Sequence, residues 1–227
     1  MNTKMLLSVA GAVASTLFLA SAHAQQISIN IDLAGQPGDQ VSTAGTSNSP
    51  LVSGVIVDRG PGIGATAAGN SISSNGWDSL TPAEDFFSLR FTVAPGESID
   101  MQSLVIGTRS SNTGPGDLGL FYSGDGFASN LNTFTQSGTN FLNSEVDLTS
   151  LTGVTGDVEF RVIALSDTRA DGATGITSGG TLRLTNYFDG GDTGGITFTA
   201  IPEPSTYAAF AGLLALAVVG LRRRMKR

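Results

Sequence analysis

The sequence predicts an all-β fold, a single β-sandwich or jelly-roll-like domain, on three observations. Apolar residues between positions 25 and 200 recur with a period of two, Gly-, Pro- and Asp-rich turns punctuate them, and no stretch there carries a capped helical period. Short strands of this kind close into packed sheets, whereas a parallel α/β sheet needs crossover helices that are missing here.

The strands follow in order. Ile27, Ile29, Ile31 and Leu33 alternate within residues 26–33 and put four apolar side chains on one face. Residues 34–49 are rich in Gly, Ser, Thr and Gln, so a long loop is expected between this first strand and the main body. Residues 51–58 carry Val52, Val55, Ile56 and Val57, and residues 87–93 alternate Phe87, Leu89, Phe91 and Val93 against Ser88, Arg90 and Thr92. Further strands are expected at 99–107, 118–123, 132–136, 144–148, 158–165, 181–188 and 195–200. Turn clusters separate them: Gly60-Pro61-Gly62, Ala94-Pro95-Gly96, Gly114-Pro115-Gly116, Ser123-Gly124-Asp125-Gly126 and Asp189-Gly190-Gly191-Asp192.

Both ends read as targeting segments. Lys4, an apolar run over 5–20 and the small residues Ala22 and Ala24 predict a secretory signal peptide over 1–24, cut by signal peptidase after Ala24. The remaining chain divides into a first strand and spacer (25–50), a β-sandwich domain (51–200) and a C-terminal segment (201–227).

Composition then narrows the chemistry. The one histidine, His23, and both lysines, Lys4 and Lys226, fall in the terminal segments, and there is no cysteine. The usual zinc, copper, haem and iron–sulfur ligand sets are therefore absent from residues 25–201, as is the base of a Ser-His-Asp or Cys-His site. In that stretch six arginines face 18 acidic residues, a formal balance of −12. Such a surface repels phosphate backbones, so no nucleic-acid partner is expected.

The C-terminal segment has three parts in sequence. Pro202-Glu203-Pro204-Ser205-Thr206 opens it; the prolines block a regular helix, and Glu203 between them is expected to be exposed. An apolar helix is expected over about 205–221, where Tyr207 to Leu221 gives 15 uncharged residues, 13 of them apolar and two glycine. As a helix they span about 22 Å, short of a hydrocarbon core of about 30 Å. Interfacial Tyr207 and snorkelling arginines make such a short span workable. Arg222, Arg223, Arg224, Lys226 and Arg227 close the chain and belong in the cytoplasm by the positive-inside rule, which leaves residues 25–200 outside.

In this order, a Pro-Glu-Pro-Ser-Thr motif, a short apolar helix and an Arg-rich end resemble the PEP-CTERM sorting signal of Gram-negative bacteria. The resemblance covers residues 201–227. It implies recognition by exosortase, a membrane protease and transpeptidase, with processing near Pro202-Glu203-Pro204. It also implies a transient stay in the inner membrane and delivery to the cell surface or an exopolysaccharide-rich extracellular matrix. Residues 51–188, with Asp58-Arg59-Gly60-Pro61-Gly62, Asn75-Gly76-Trp77, Gly107 to Pro115 and Tyr122 to Phe127, are similar to the β-rich passenger domains of such proteins. That likeness implies a fold class and names no reaction.

Several constellations compete for a functional role. Gly62-Ile63-Gly64-Ala65-Thr66-Ala67 has the outline of a dinucleotide fingerprint, but residues 68–76 after it read as a loop, not the required helix. Asp167 with Asp171, and Asp189 with Asp192, lie in turns and offer weak calcium ligands beside the alternative of capping their own backbone. Asp39, Asp58, Asp78, Glu84, Asp85, Glu97, Asp100, Asp157 and Glu159 are available for a carboxylate-dependent glycosidase, yet no spacing singles out a pair. Trp77, Phe121 and Tyr122 are available to stack on sugar rings, against core packing as the alternative. Arg109 offers a contact to anionic polysaccharide, against a local salt bridge. The expectation is a non-catalytic secreted or cell-surface protein without a cofactor; a carbohydrate-binding module is the alternative.

Overall fold

The computed structural model describes residues 25–189 and 192–203, with the side chains of 187–193 left out. The signal peptide expected over 1–24 (with Ala22 and Ala24), Pro204, Ser205 and Thr206, the helix expected over about 205–221 and the basic tail 222–227 lie outside the described residues. Among the described residues no helix is long and apolar enough to cross a membrane.

The described chain is all-β, built as two sheets packed face to face in the manner of a sandwich. Its strands are β1 (Ile27–Ile31), β2 (Pro37–Gly38), β3 (Ser42–Ala44), β4 (Thr46–Ser47), β5 (Val52–Arg59), β6 (Gly64–Ala65), β7 (Ser71–Asn75), β8 (Phe86–Val93), β9 (Ile99–Ser110), β10 (Asp117–Tyr122), β11 (Asn130–Thr135), β12 (Phe141–Asp147), β13 (Asp157–Ala164), β14 (Leu182–Thr185), β15 (Tyr187–Asp189), β16 (Asp192–Gly194) and β17 (Ile196–Pro202). The first sheet runs β2-β7-β14-β9-β17-β1-β4, with β12 on the free side of β9 and β6 beside β7. The second runs β11-β10-β13-β8-β5-β3. A small β15–β16 hairpin stands apart from both.

Period-two alternation sets which side chains meet between the sheets. Ile27, Ile29 and Ile31 of β1, Leu104 and Ile106 of β9 and Phe198 of β17 point inward from the first sheet; Phe87, Leu89 and Phe91 of β8 and Phe160 of β13 point inward from the second, all buried. Phe198 meets Phe160 at 4.9 Å and Phe91 edge-on at 5.7 Å, so an aromatic cluster joins the two layers. Each such side chain, fully buried, contributes about 1.5–3 kcal/mol.

Three stretches depart from the sequence reading. Residues 34–49, expected as a loop, contribute β2, β3 and β4, which pair with β7, β5 and β1. Residues 68–76, also read as a loop, contain β7, which pairs with β14 over four residues. Its serines are buried with partners of their own: Ser73 faces Thr66, and Ser74 accepts from the Trp77 indole at 3.0 Å. Polar strands of this kind carry no alternation to detect. Finally, the strand expected over 181–188 ends at Thr185, and the chain leaves the sheet at Asn186.

That departure shapes the molecule. Against β9, Leu182 to Thr185 pair with Ser110 to Gly107, and Thr197 resumes the pairing at Val105. β14 and β17 therefore act as one long strand with an excursion between Thr185 and Ile196, of which β15 lies against β9 and β12. Gly107 makes the exit possible: a Cβ there would collide with the Asn186 carbonyl and the Thr185 hydroxyl.

Candidate functional site

Most of the sequence-derived candidates are brought to rest in structural roles. Trp77 is 0% exposed, packed at 5.6 Å against Phe87 on a short turn that follows Gly76 at φ 81°. It is sealed in the core, as the packing alternative expected, and has no face for a sugar. Tyr122 is half-buried and stacks at 5.1 Å on Phe160; burial, then the negative charge of Asp125, pushes its phenol up. Phe121 lines a shallow apolar groove on the outside of the second sheet together with Phe127 and Leu165. The dinucleotide outline at 62–67 enters β6 and then strand β7, with no helix for a pyrophosphate to sit on.

The carboxylates are engaged locally. Asp58 pairs with Arg90. Glu159 takes Arg161 at 2.8 Å and accepts from the Ser88 hydroxyl at 2.9 Å, while Asp157 beside it accepts from Thr92 at 2.8 Å. Asp157 and Glu159 share one open groove, the nearest approach to a glycosidase pair, but both are already bonded. Asp85 is 2% exposed and accepts from the Thr81 N–H at 2.7 Å and the Ser79 hydroxyl, closing the loop after Trp77. Asp39, Asp78, Glu84, Glu97 and Asp100 are spread over separate loops and edges, with Asp100 accepting from the Gly153 N–H at 2.9 Å.

The calcium candidates separate in the same way. Asp171 is committed to Arg169 and to its own turn through the Ala173 N–H at 3.1 Å, whereas Asp167 is exposed and uses its backbone carbonyl to hold Gly175. The side chains of Asp189 and Asp192 lie outside the described residues. Among the described residues no group of three or more carboxylates converges.

Pro202 and Glu203, the described part of the expected sorting motif, belong to the fold. Pro202 is the last residue of β17, opposite Ile99. Glu203 is not exposed as expected: its N–H donates to the Ser98 carbonyl at 3.1 Å, and its carboxylate accepts from the Ser98 hydroxyl at 2.6 Å.

The arrangement with unspent chemistry is on the outside of the first sheet. Pairing places Phe141, Arg109, Arg183 and Ser73 in one row across β12, β9, β14 and β7. Arg109 and Arg183 are directly opposed, with Cβ atoms about 4.5–5.5 Å apart by ladder geometry. Arg109 lies over the Phe141 ring at 4.7 Å and donates from Nε to the Thr139 carbonyl at 2.7 Å. Neither arginine makes an ion pair among the described residues, while Arg90, Arg161 and Arg169 each do. Arg59 is spent on the carbonyls of Gly38, Gln40 and Ser73. Burial, then the positive charge of Arg109, holds Arg183 below the ordinary arginine range.

Beside this row lies a groove of about 470 Å³ lined by Phe141, Asn143, Thr185, Asn186, Asn70, Gly69 and Ala34. Asn186 forms its wall and is fixed at both ends of its amide, accepting from the Leu33 N–H and donating to Asp32, each at 2.7 Å. Phe141, 58% exposed, is the one large aromatic among the described residues that stands well out of the surface. Sequence reasoning singled out Arg109 but missed Phe141 and Arg183. Only the register of β9 against β12 and β14 brings the three together.

No family model and no curated protein matches this chain.

Proposed function

We propose that this chain is a non-catalytic secreted or cell-surface protein, carried across the inner membrane by its signal peptide, held briefly by its apolar tail and processed by exosortase. Its destination in this reading is an extracellular, polysaccharide-containing matrix. The observation that carries the reading is the ordered run of Pro202 to Thr206, the apolar stretch and the basic tail, opposite an N-terminal secretory signal. The described fold is compatible with it: β17 runs to Pro202, so the first residues of the motif emerge at the end of a sheet strand.

The absence of His, Lys and Cys between residues 25 and 201, and the local engagement of Asp58, Asp157, Asp171 and Glu159, favour a binding or matrix role over catalysis. Mass spectrometry of the protein recovered from the cell surface tests the proposal. We expect a mature N-terminus at Gln25 and a C-terminus near Pro202-Glu203-Pro204. Surface-exposed protein that still ends in Arg222-Arg223-Arg224-Met225-Lys226-Arg227 would sink the processing step.

A further inference from the structure

We propose that the outer face of the first sheet is a binding site for a carboxylate-bearing sugar, with Arg109 and Arg183 taking the carboxylate and Phe141 the ring. The saccharide half of this assignment rests on the cell-surface reading above; the anion half rests on the geometry.

Two arginines set directly opposite each other on neighbouring strands repel, and a sheet normally avoids this. Here the repulsion stands in a domain with a threefold excess of acidic residues (18 against six arginines), where Arg90, Arg161 and Arg169 each hold an ion pair and, among the described residues, Arg109 and Arg183 do not. A guanidinium is a planar fork of donors matched to a carboxylate, which accepts two parallel N–H bonds, and the register sets two such side chains on opposed positions of one row. Stacking on Phe141 and the bond to Thr139 hold Arg109 in place before any ligand arrives, which reduces the ordering cost of binding.

The adjoining groove supplies what a bare anion site would not need. It is concave, its volume falls within the range of small-molecule pockets, and it is lined by an aromatic ring with amide and hydroxyl groups. The Asn70 amide oxygen accepts from the Gly35 N–H at 2.8 Å, leaving its NH₂ donors for a ligand hydroxyl. A sugar can lay its C–H face on the exposed ring while its hydroxyls meet the amides.

The negative charge of the domain does not override this. At physiological ionic strength charges are screened over about 8 Å, which mutes the carboxylates on the far side of the domain, while Asp32 behind Asn186 and Glu145 on the outer face of β12 stay close enough to oppose the arginine pair. The site therefore selects a short acidic unit docked locally, with affinity that falls as salt rises.

The test is isothermal titration of the full-length chain, purified in mild detergent, with hexagalacturonate, with maltohexaose as the neutral analogue and with inorganic phosphate as the bare anion. We expect saturable binding of hexagalacturonate, weakened about tenfold or more in R109Q/R183Q and in F141A, and no comparable binding of maltohexaose. Thermal melts of both variants, with no ligand, check that they are folded; R183K, which keeps the charge and loses the fork, should bind at an intermediate level. No binding by the wild-type chain, or equal binding by a folded R109Q/R183Q, overturns the site. Phosphate displacing the oligosaccharide at equal concentration overturns the sugar assignment. Surface recovery and processing are measured separately, so binding without secretion sinks only the surface reading, and secretion without binding sinks only the site.

Discussion

The two outer faces of the sandwich are built from the same kinds of residue and use them oppositely. On the second sheet Arg90 meets Asp58, and Arg161 meets Glu159 while lying between the rings of Phe86 at 3.9 Å and Phe127 at 4.0 Å. Both of these arginines are matched by a carboxylate, beside the groove that Asp157 and Glu159 line. On the first sheet Arg109 and Arg183 face each other beside one open aromatic ring and a groove. The contrast shows where to look for function in a domain with no histidine, lysine or cysteine between residues 25 and 201: at charges that have no ion-pair partner among the described residues.

The largest blow to the contrast should come from Gly107→Val. Its side chain would run into the Asn186 carbonyl, push the excursion off the sheet and collapse the groove wall. We expect a loss of about 1–3 kcal/mol in denaturant unfolding, typical of overpacking, together with loss of hexagalacturonate binding. Unchanged stability and binding would mean that the excursion is not seated through Gly107.

Next in size is Glu159→Ala on the ion-paired face. It strands a guanidinium that is about one-fifth exposed and removes the acceptor for Ser88. We expect a cost of about 1 kcal/mol, at the upper end for a surface pair because the geometry is held from both sides by aromatic rings. Arg183→Gln on the open face should move stability the other way, by a few tenths of a kcal/mol, because it removes a like-charge opposition. Destabilisation by both substitutions alike would erase the distinction between the faces.

The smallest effect is one of pH. Hydrogen bonds from the Asn186 side chain, then from the Ala34 N–H, hold the Asp32 carboxyl below the usual aspartate value of 3.8. A depressed carboxylate contributes stability that is fully present above pH 3.8 and is lost as pH falls through its lower folded value. Protection factors for amide exchange at Leu33 and Asn186, which remove the intrinsic pH dependence, should therefore fall below about pH 4, and Asp32→Asn should reproduce part of that loosening at neutral pH. Protection factors that are flat between pH 5 and 3 would detach Asp32 from the groove wall.

How much of this was legible in the sequence depended on alternation. The core strands declared themselves through Ile27 to Leu33, Phe87 to Val93 and their like, because an inward face must be apolar at every second position. β7 did not: Ser71, Ser73 and Ser74 are buried by partners contributed from Ala68, Thr66 and Trp77, contacts that exist only once the chain has folded. The end of β14 at Thr185 was equally hidden, since Asn186 leaves the sheet by crossing a glycine on a different strand. The candidate site was half legible. Arg109 stood out as a lone cation, but its meaning depends on Arg183 and Phe141, which reach it through strand register. Register is a property of pairing, and no local pattern in this sequence encodes it.

The most direct test is a titration of the arginine Nε–H resonances with hexagalacturonate by NMR on the full-length chain in detergent micelles. We expect the Arg109 and Arg183 signals to shift together and saturate while Arg90 and Arg161 stay in place. Equal shifts on all four, or shifts confined to Arg90 and Arg161, would contradict the assignment of the open face as the binding face.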